Sequence, residues 1–289
     1  MYRYPFTPYP NGWFRIAYSS DLKVGGVMPI ECFGREHVLF RGEDGKARLL
    51  DAHCPHLGAH LGHGGQVKGN DIACPFHDWT FNGDGECTDI PYCSKIPKRA
   101  VLPAHLIREQ NGLIFIHHDA EGRAPSFDFP EVPEVADKTW SDFVRFHWRV
   151  RVHIQEVAEN ALDLPHFEKV HAYLNIPTLA QFDIEDHTFT INVQAARKVL
   201  GIVGTSEMTI KYHGMGIVHA TVKTKPIDLK VILTTTPVDQ EHVDIHIAVL
   251  FKKSRIPLRN FIVKQYLKKE IAHDFAHDIP LWENKQYFE

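Results

Sequence analysis

The sequence predicts an α+β protein of two domains: a β-rich first domain, then one in which an antiparallel sheet is closed over by helices. Three observations predict it. Between residues 12 and 120, short alternating segments are broken by Gly-, Asn- and Asp-bearing turns. Between 180 and 252, longer alternating segments follow one another in meander order. From about Pro257 to Leu281, Phe261, Ile262, Tyr266, Leu267, Ile271 and Phe275 recur at helical spacing. A chain of 289 residues with 44% hydrophobic content can bury two such cores.

Taken in order, the first half offers the strands WFRIAY (13–18), HVLFRG (37–42), ARLLDA (47–52), LIREQ (106–110) and LIFIHH (113–118). Gly122–Val135 is Pro-rich and aperiodic and reads as a linker or surface wrap, so the boundary falls between 1–125 and 126–289. RFHWRVRVHIQ (145–155) alternates like a strand. EVAENALDLPHFEKVH (156–171) begins helically, and Pro165 is expected to kink or end that helix. The meander comprises FDIEDHTFTINVQA, KVLGIVGTSEMTIKYH, GIVHATVKTKP, LKVILTTTPVD and HVDIHIAVLF. A sheet closed by a terminal helix makes a natural apolar pocket, with VLGIVG (199–204), MGIVHATV (215–222) and VILTTT (231–236) as its expected lining.

Composition excludes several classes. Net charge is −4 with both signs interspersed, so no basic patch marks a nucleic-acid surface. The N-terminus shows no secretory leader, and runs such as Gly112–Ile116 and Ile247–Phe251 are too short to span a bilayer. A soluble, cytoplasmic protein is expected.

Chemistry concentrates between Cys54 and His77, CPHLGAHLGHGGQVKGNDIACPFH. Cys54-x-His56 and Cys74-x-x-His77 each supply one thiolate and one imidazole. Such a set could hold a tetrahedral zinc, but zinc pairs usually space their ligands by two to four residues. One mixed pair per arm suits a Rieske [2Fe–2S] centre better, where one iron takes two cysteines and the other two histidines. The glycines between the arms allow backbone amides to approach the cluster. Cys32, Cys87 and Cys93 remain, an odd number that argues against a disulfide scaffold. With Ala59 and Phe76 where a cross-loop cysteine pair would sit, the potential is expected at roughly −150 to 0 mV.

A second constellation is Asn160, Asp163, His166 and His171. Two histidines five residues apart are unremarkable in a chain with 20 of them. Joined by one carboxylate they would make a two-His-one-carboxylate iron site with open positions for oxygen and substrate. Asp278 and, one turn earlier, Asp274 are the candidates. His273 and His277 form an i, i+4 pair that could imitate a zinc site, but no partner ligand turn lies nearby.

These residues resemble the Rieske non-heme iron oxygenases, over nearly the whole chain. Cys54-x-His56 with Cys74-x-x-His77 resembles that family's cluster motif, and Asn160-x-x-Asp163-x-x-His166-x-x-x-x-His171 its iron motif. Asp278-x-x-x-Trp282-Glu283-Asn284-Lys285 resembles the stretch around the third ligand, which selects Asp278 over Asp274. NGW (11–13), IPYC (90–93), IPK (96–98) and TPVDQEHVD (236–244) are similar to the subgroup of 3-ketosteroid 9α-hydroxylase oxygenase components and Neverland-type cholesterol 7-desaturases. One departure stands out: Asp78 follows the last cluster histidine where the family usually has Gly.

The resemblance implies a helix-grip-like catalytic domain and a terminal oxygenase component, a monooxygenase that uses O2 at a mononuclear Fe(II). Its electrons would come from NAD(P)H through a separate ferredoxin or flavin reductase, since no G-x-G-x-x-G fingerprint occurs here. It implies Cys54, His56, Cys74 and His77 on the cluster and His166, His171 and Asp278 on the iron. His77 would bond Asp163 across the interface of a homotrimer, and Asp163 would hold His166, with Asn160 beside them. The expected substrate is apolar, sterol- or steroid-like, and hydroxylated, desaturated or demethylated. A small aromatic or N-/O-methylated substrate is the alternative; an electron carrier or lipid-binding protein is more distant.

Overall fold

The computed structural model describes residues 3–171, 173–199, 202–224 and 227–287. The chain divides into two compact units. One comprises residues 13–119; the other comprises residue 120 onward together with the segment up to Gly12.

The first unit is built of β-strands, with one short 3-10 helix at Ser19–Asp21. In chain order its strands are β1 (Gly12–Tyr18), β2 (Val27–Cys32), β3 (Arg35–Arg41), β4 (Ala47–Asp51), β5 (Gln66–Lys68), β6 (Asp71–Ala73), β7 (Thr80–Phe81), β8 (Cys87–Asp89), β9 (Ala104–His105), β10 (Ile107–Gln110) and β11 (Leu113–His118). They form three small antiparallel sheets, ordered β1-β11-β10, β2-β3-β4-β9 and β5-β6-β7-β8. The five strands expected from the sequence are present. The additional ones are two or three residues long in several cases, too short to show alternation. Val38, Phe40, Leu50, Leu61, Ile72 and Phe81 make the dry base on which the cysteine-bearing loops sit.

The second unit follows with β12 (Val144–Val150), α1 (Ile154–Asn160), α2 (Leu164–Lys169), β13 (Thr178–Glu185), β14 (Thr188–Val199), β15 (Ile202–His213), β16 (Ile217–Thr224), β17 (Ile227–Pro237), β18 (Val243–Phe251) and α3 (Pro257–Asn284). Its seven strands form one antiparallel sheet in the order β12-β18-β17-β16-β15-β14-β13. FDIEDHTFTINVQA is not one segment but a hairpin. Asp186, at φ 47°, takes the left-handed turn between β13 and β14. Pro165 does not end a helix; it lies in the first turn of α2, where its missing N–H costs nothing.

Register divides the sheet into two faces. Phe189, Tyr212, Val218 and Leu233 are cross-strand neighbours in turn, and they pack against Ala158 of α1. Further along, Phe146, Trp148, Val231, Ile247 and Val249 receive Val263 and Leu267 of α3. Of the expected pocket lining, alternation turns Val218, Val231 and Leu233 toward the helices and His219, Ile232 and Thr234 to the other face. In VLGIVG, Leu200 and Gly201 lie outside the described residues. The Pro-rich stretch after residue 120 wraps this second unit: Phe127 stacks on His187 at 4.2 Å, and Phe129 and Val132 are buried.

Residues 3–12 group with the second unit rather than with the first domain. The Arg3 guanidinium donates to the carbonyls of Trp282, Glu283 and Lys285 at 3.2, 2.8 and 2.9 Å. These carbonyls lie at the end of α3, and that of Trp282 also accepts from the Lys285 N–H at 3.4 Å, so a cation there is favoured.

Candidate metal centres

The two arms of the first constellation fold into near-copies of one loop. In each, the cysteine N–H bonds the carbonyl five residues on: Cys54 to Ala59 at 2.9 Å, Cys74 to Trp79 at 2.8 Å. In each, the residue four on donates back to the cysteine carbonyl, Gly58 at 2.9 Å and Asp78 at 3.0 Å. That residue is left-handed in both, with φ 76° at Gly58 and 64° at Asp78. Asp is among the few side chains that tolerate this region. Its carboxylate pairs with Lys68 Nζ at 2.5 Å. Gly65 closes the first arm where a Cβ would lie 2.2 Å from the Leu61 carbonyl.

The loops bring Cys54 and Cys74 together in the interior, 2% and 4% exposed, with the His56 and His77 rings 4.7 Å apart. Burial pushes the Cys54 thiol up to about 12, with the Cys74 sulfur beside it adding to the rise. His77 Nδ1 is buried with no hydrogen-bond partner among the described residues. Two buried sulfurs and an orphaned imidazole nitrogen are costly together unless something binds them, and they suit a thiolate- and imidazole-ligated cluster. None of the five cysteines is in a disulfide. Sequence reasoning missed the aromatic brace: Trp79 stacks on His56 at 4.6 Å and 6° and donates to Tyr92 Oη at 2.7 Å. The signal was there in a Trp two residues after His77, inside an otherwise polar turn.

The second constellation assembles from distant chain. His166 sits in α2, His171 just after it, and Asp278 in the last third of α3; their ligand atoms all lie within 4.8 Å of one another. All three are buried, at 9%, 9% and 4% exposure. His166 Nδ1 meets the backbone carbonyl of Asp163. A carbonyl only accepts, so Nδ1 carries the proton and Nε2 presents its lone pair, buried and without a hydrogen-bond partner among the described residues. His171 Nε2 is 3.2 Å from Asp278 Oδ1, and Asn160 Nδ2 donates to Asp278 Oδ2 at 3.4 Å. Asp274 lies on the opposite side of His171, 3.9 Å from Nδ1. The Asp163 side chain is exposed at the N-cap of α2 and makes no capping bond.

Two other His–Asp groups are comparably close. In one, His105 Nε2 and Asp51 Oδ1 already pair at 2.7 Å beside His37; in the other, Asp244 is held by Arg149 at 2.9 and 3.0 Å as well as by His147. Both carboxylates have proton-bearing partners that account for them.

Residues 116–289 match the 3-ketosteroid 9alpha-hydroxylase C-terminal domain family, and residues 12–101 match the Rieske [2Fe–2S] domain. The chain belongs to the 3-ketosteroid 9alpha-hydroxylase C-terminal domain family, and the part before that domain carries the Rieske match. Cholesterol 7-desaturase nvd of Bombyx mori is 33% identical, over 97% of this chain and 64% of that protein. A probable 3-ketosteroid-9-alpha-monooxygenase oxygenase component of Rhodococcus rhodochrous is 38% identical, over 70% of this chain and 50% of that protein. The chain thus spans less than two thirds of these relatives' length. In fold it is similar to Pseudomonas putida CBB5 NdmA with caffeine, with TM-score 0.77 and 20% identity over 94% of this chain and 81% of that one. The paired cysteine–histidine loops lie in the Rieske domain, and the buried triad lies in the hydroxylase-type domain.

Proposed function

We propose that this chain is the terminal oxygenase component of a multi-component monooxygenase acting on an apolar, sterol- or steroid-like substrate. One observation carries the reading: a chain with a cluster-type quartet, Cys54, His56, Cys74 and His77, also buries a two-His-one-carboxylate triad, His166, His171 and Asp278. An electron carrier needs only the first, and a lipid-binding protein needs neither. The mononuclear iron supplies dioxygen activation when bound.

The chain's own groups prepare that centre. The Asp163 carbonyl fixes the His166 tautomer so that Nε2 keeps its lone pair. The Asn160 amide engages Asp278 Oδ2 and leaves Oδ1 directed at His171. With its carbonyl committed to His166, Asp163 keeps an exposed carboxylate. In a homotrimer, that carboxylate would accept a hydrogen bond from His77 of a neighbouring subunit, linking one subunit's cluster to the next one's iron. Residues 13–119 would form the electron-receiving domain, and residue 120 onward with the segment up to Gly12 the catalytic one, in a cytoplasmic protein supplied by a ferredoxin or flavin reductase that draws on NAD(P)H.

The steroid-type relatives support the substrate class. Turnover with a surrogate reductase tests it, with cholesterol and 3-ketosteroids in one arm and N-methylated or aromatic acids in the other. Oxidised steroid by mass spectrometry is the expected result. Turnover confined to the second arm would replace the sterol reading with the small-aromatic one.

A further inference from the structure

Over most of its length α3 divides as an amphipathic helix does, with Val263 and Leu267 buried against the sheet. Its start does not. Leu258, Phe261 and Ile262 are 67%, 59% and 46% exposed, and Ile256, just before the helix, is 60% exposed. At about 100° per residue, those three helical positions fall together on the side away from Val263 and Leu267. They cannot turn inward without unseating the helix. Single exposed apolar side chains are ordinary, but a contiguous group of large ones marks a contact surface.

Along the chain, the charge around the group has one sign. Seven Lys and Arg residues and no Asp or Glu lie between Lys252 and Lys269, in a chain of net charge −4. Arg255, Arg259, Lys264 and Lys268 are all exposed. Asp228 lines the neighbouring groove with Lys252 and Arg259, and Glu270 ends the run. The loop before the helix is held in place: Ser254 N donates to Asn260 Oδ1 at 2.8 Å, and Asn260 Nδ2 donates to the Ser254 carbonyl at 2.9 Å. Ile256 is therefore presented on a fixed turn.

We propose that the first turns of α3, with the loop before them, dock this protein on an anionic lipid surface. Large apolar side chains entering the acyl boundary, with cations at headgroup level, are the recognised chemistry of a helix lying in the membrane interface. The contact is peripheral: among the described residues no helix is long and apolar enough to cross a membrane. An acidic protein partner would satisfy the cations but leave the four apolar side chains to be matched one by one. The inference rests on this surface alone and holds whichever substrate the active site takes.

Flotation of the iron-loaded, full-length protein with vesicles tests it, using phosphatidylcholine alone or with about 30% phosphatidylserine. Binding is expected on the anionic vesicles and at least tenfold weaker on the neutral ones. The double variant Leu258→Glu/Phe261→Glu is expected to lose at least tenfold of the anionic binding, and Arg255→Glu/Lys264→Glu a similar amount. Visible absorption and iron content should stay unchanged in both. Failure of the wild type to float, or binding that both variants retain, would overturn the proposal. So would variants that float normally yet are reduced slowly by an acidic ferredoxin, which would make the patch a protein dock.

Discussion

The two metal-binding regions are built in opposite ways. The cluster loops are local: four ligands lie within 24 residues, on two turns that share a hydrogen-bond pattern and a left-handed fourth position. The triad is dispersed: two ligands lie around α2 and the third over a hundred residues later on α3. A local site is specified by spacing and turn chemistry. A dispersed one depends on how the sheet seats its helices, here through Val263 and Leu267 of α3 and the Tyr212 hydroxyl, which donates to the Ala158 carbonyl of α1 at 3.3 Å.

The largest expected effect separates the two regions outright. His166→Ala or Asp278→Ala should abolish turnover, by roughly a thousandfold or more, and lower iron from about three to about two per chain, with cluster absorption intact. His56→Ala should instead bleach the cluster and leave the triad's iron in place. Iron and acid-labile sulfide analysis beside the visible spectrum reads both, and parallel losses in all three variants would mean that the regions are not independent.

Asp163→Asn is the next step down, because it spares every proposed ligand. The backbone carbonyl that faces His166 survives the substitution, so iron should be largely retained. Only the exposed carboxylate changes. Oxidation of the reduced cluster in the presence of substrate should slow by about 10- to 100-fold. If Asp163 only decorates the start of α2, the rate should remain near wild type and the melting temperature should move slightly instead.

Acid should strain the second unit through its sheet. Burial holds His213 down to about 4 and His219 down to about 3, from an ordinary value of 6.5. Both are neutral when folded, and the unfolded chain takes their protons first. Their contribution is therefore whole above pH 6.5 and declines as pH falls toward 4, at up to about 1.4 kcal/mol per pH unit for each histidine. His213→Asn/His219→Asn should flatten the melting curve's pH dependence across that window. An unaltered slope would place the acid sensitivity elsewhere.

The smallest effects lie between the twin loops. Gly58→Ala puts a Cβ into open space but at φ 76°, so it should cost about 1 kcal/mol for the backbone alone. Asp78→Gly relieves the same conformation but gives up the half-exposed Lys68 pair, a contact worth about 0–1 kcal/mol. The net change should be under about 0.5 kcal/mol, and the cluster potential should rise as the nearby anion is removed. Thermal melts and voltammetry of the pair test whether the loops are equivalent.

Legibility followed the same division. The cluster residues were readable from Cys54-x-His56 and Cys74-x-x-His77 because both arms are turns, and turns are written locally. Asp278 was not separable from Asp274 by spacing. Only the seating of α3 turns Asp278 toward His171 Nε2 and places Asp274 by Nδ1. The meander was legible by alternation, but the β13–β14 hairpin was not, because its left-handed residue is Asp186 and not Gly. Pro165 was misread for a related reason: a proline that ends one helix and a proline that starts the next look alike until Asn160 is seen to close α1. The role of residues 3–12 was invisible, since it rests on Arg3 reaching carbonyls some 280 residues away.

Single turnover of the fully reduced protein tests the central claim most directly, that one chain couples a cluster to an oxygen-activating iron for steroid oxidation. Rapid mixing with dioxygen should show cluster oxidation that is much faster with a sterol or 3-ketosteroid present than without, and oxidised steroid should form in amounts approaching one per chain. Cluster oxidation at one rate regardless of steroid, with no oxidised product, would contradict it.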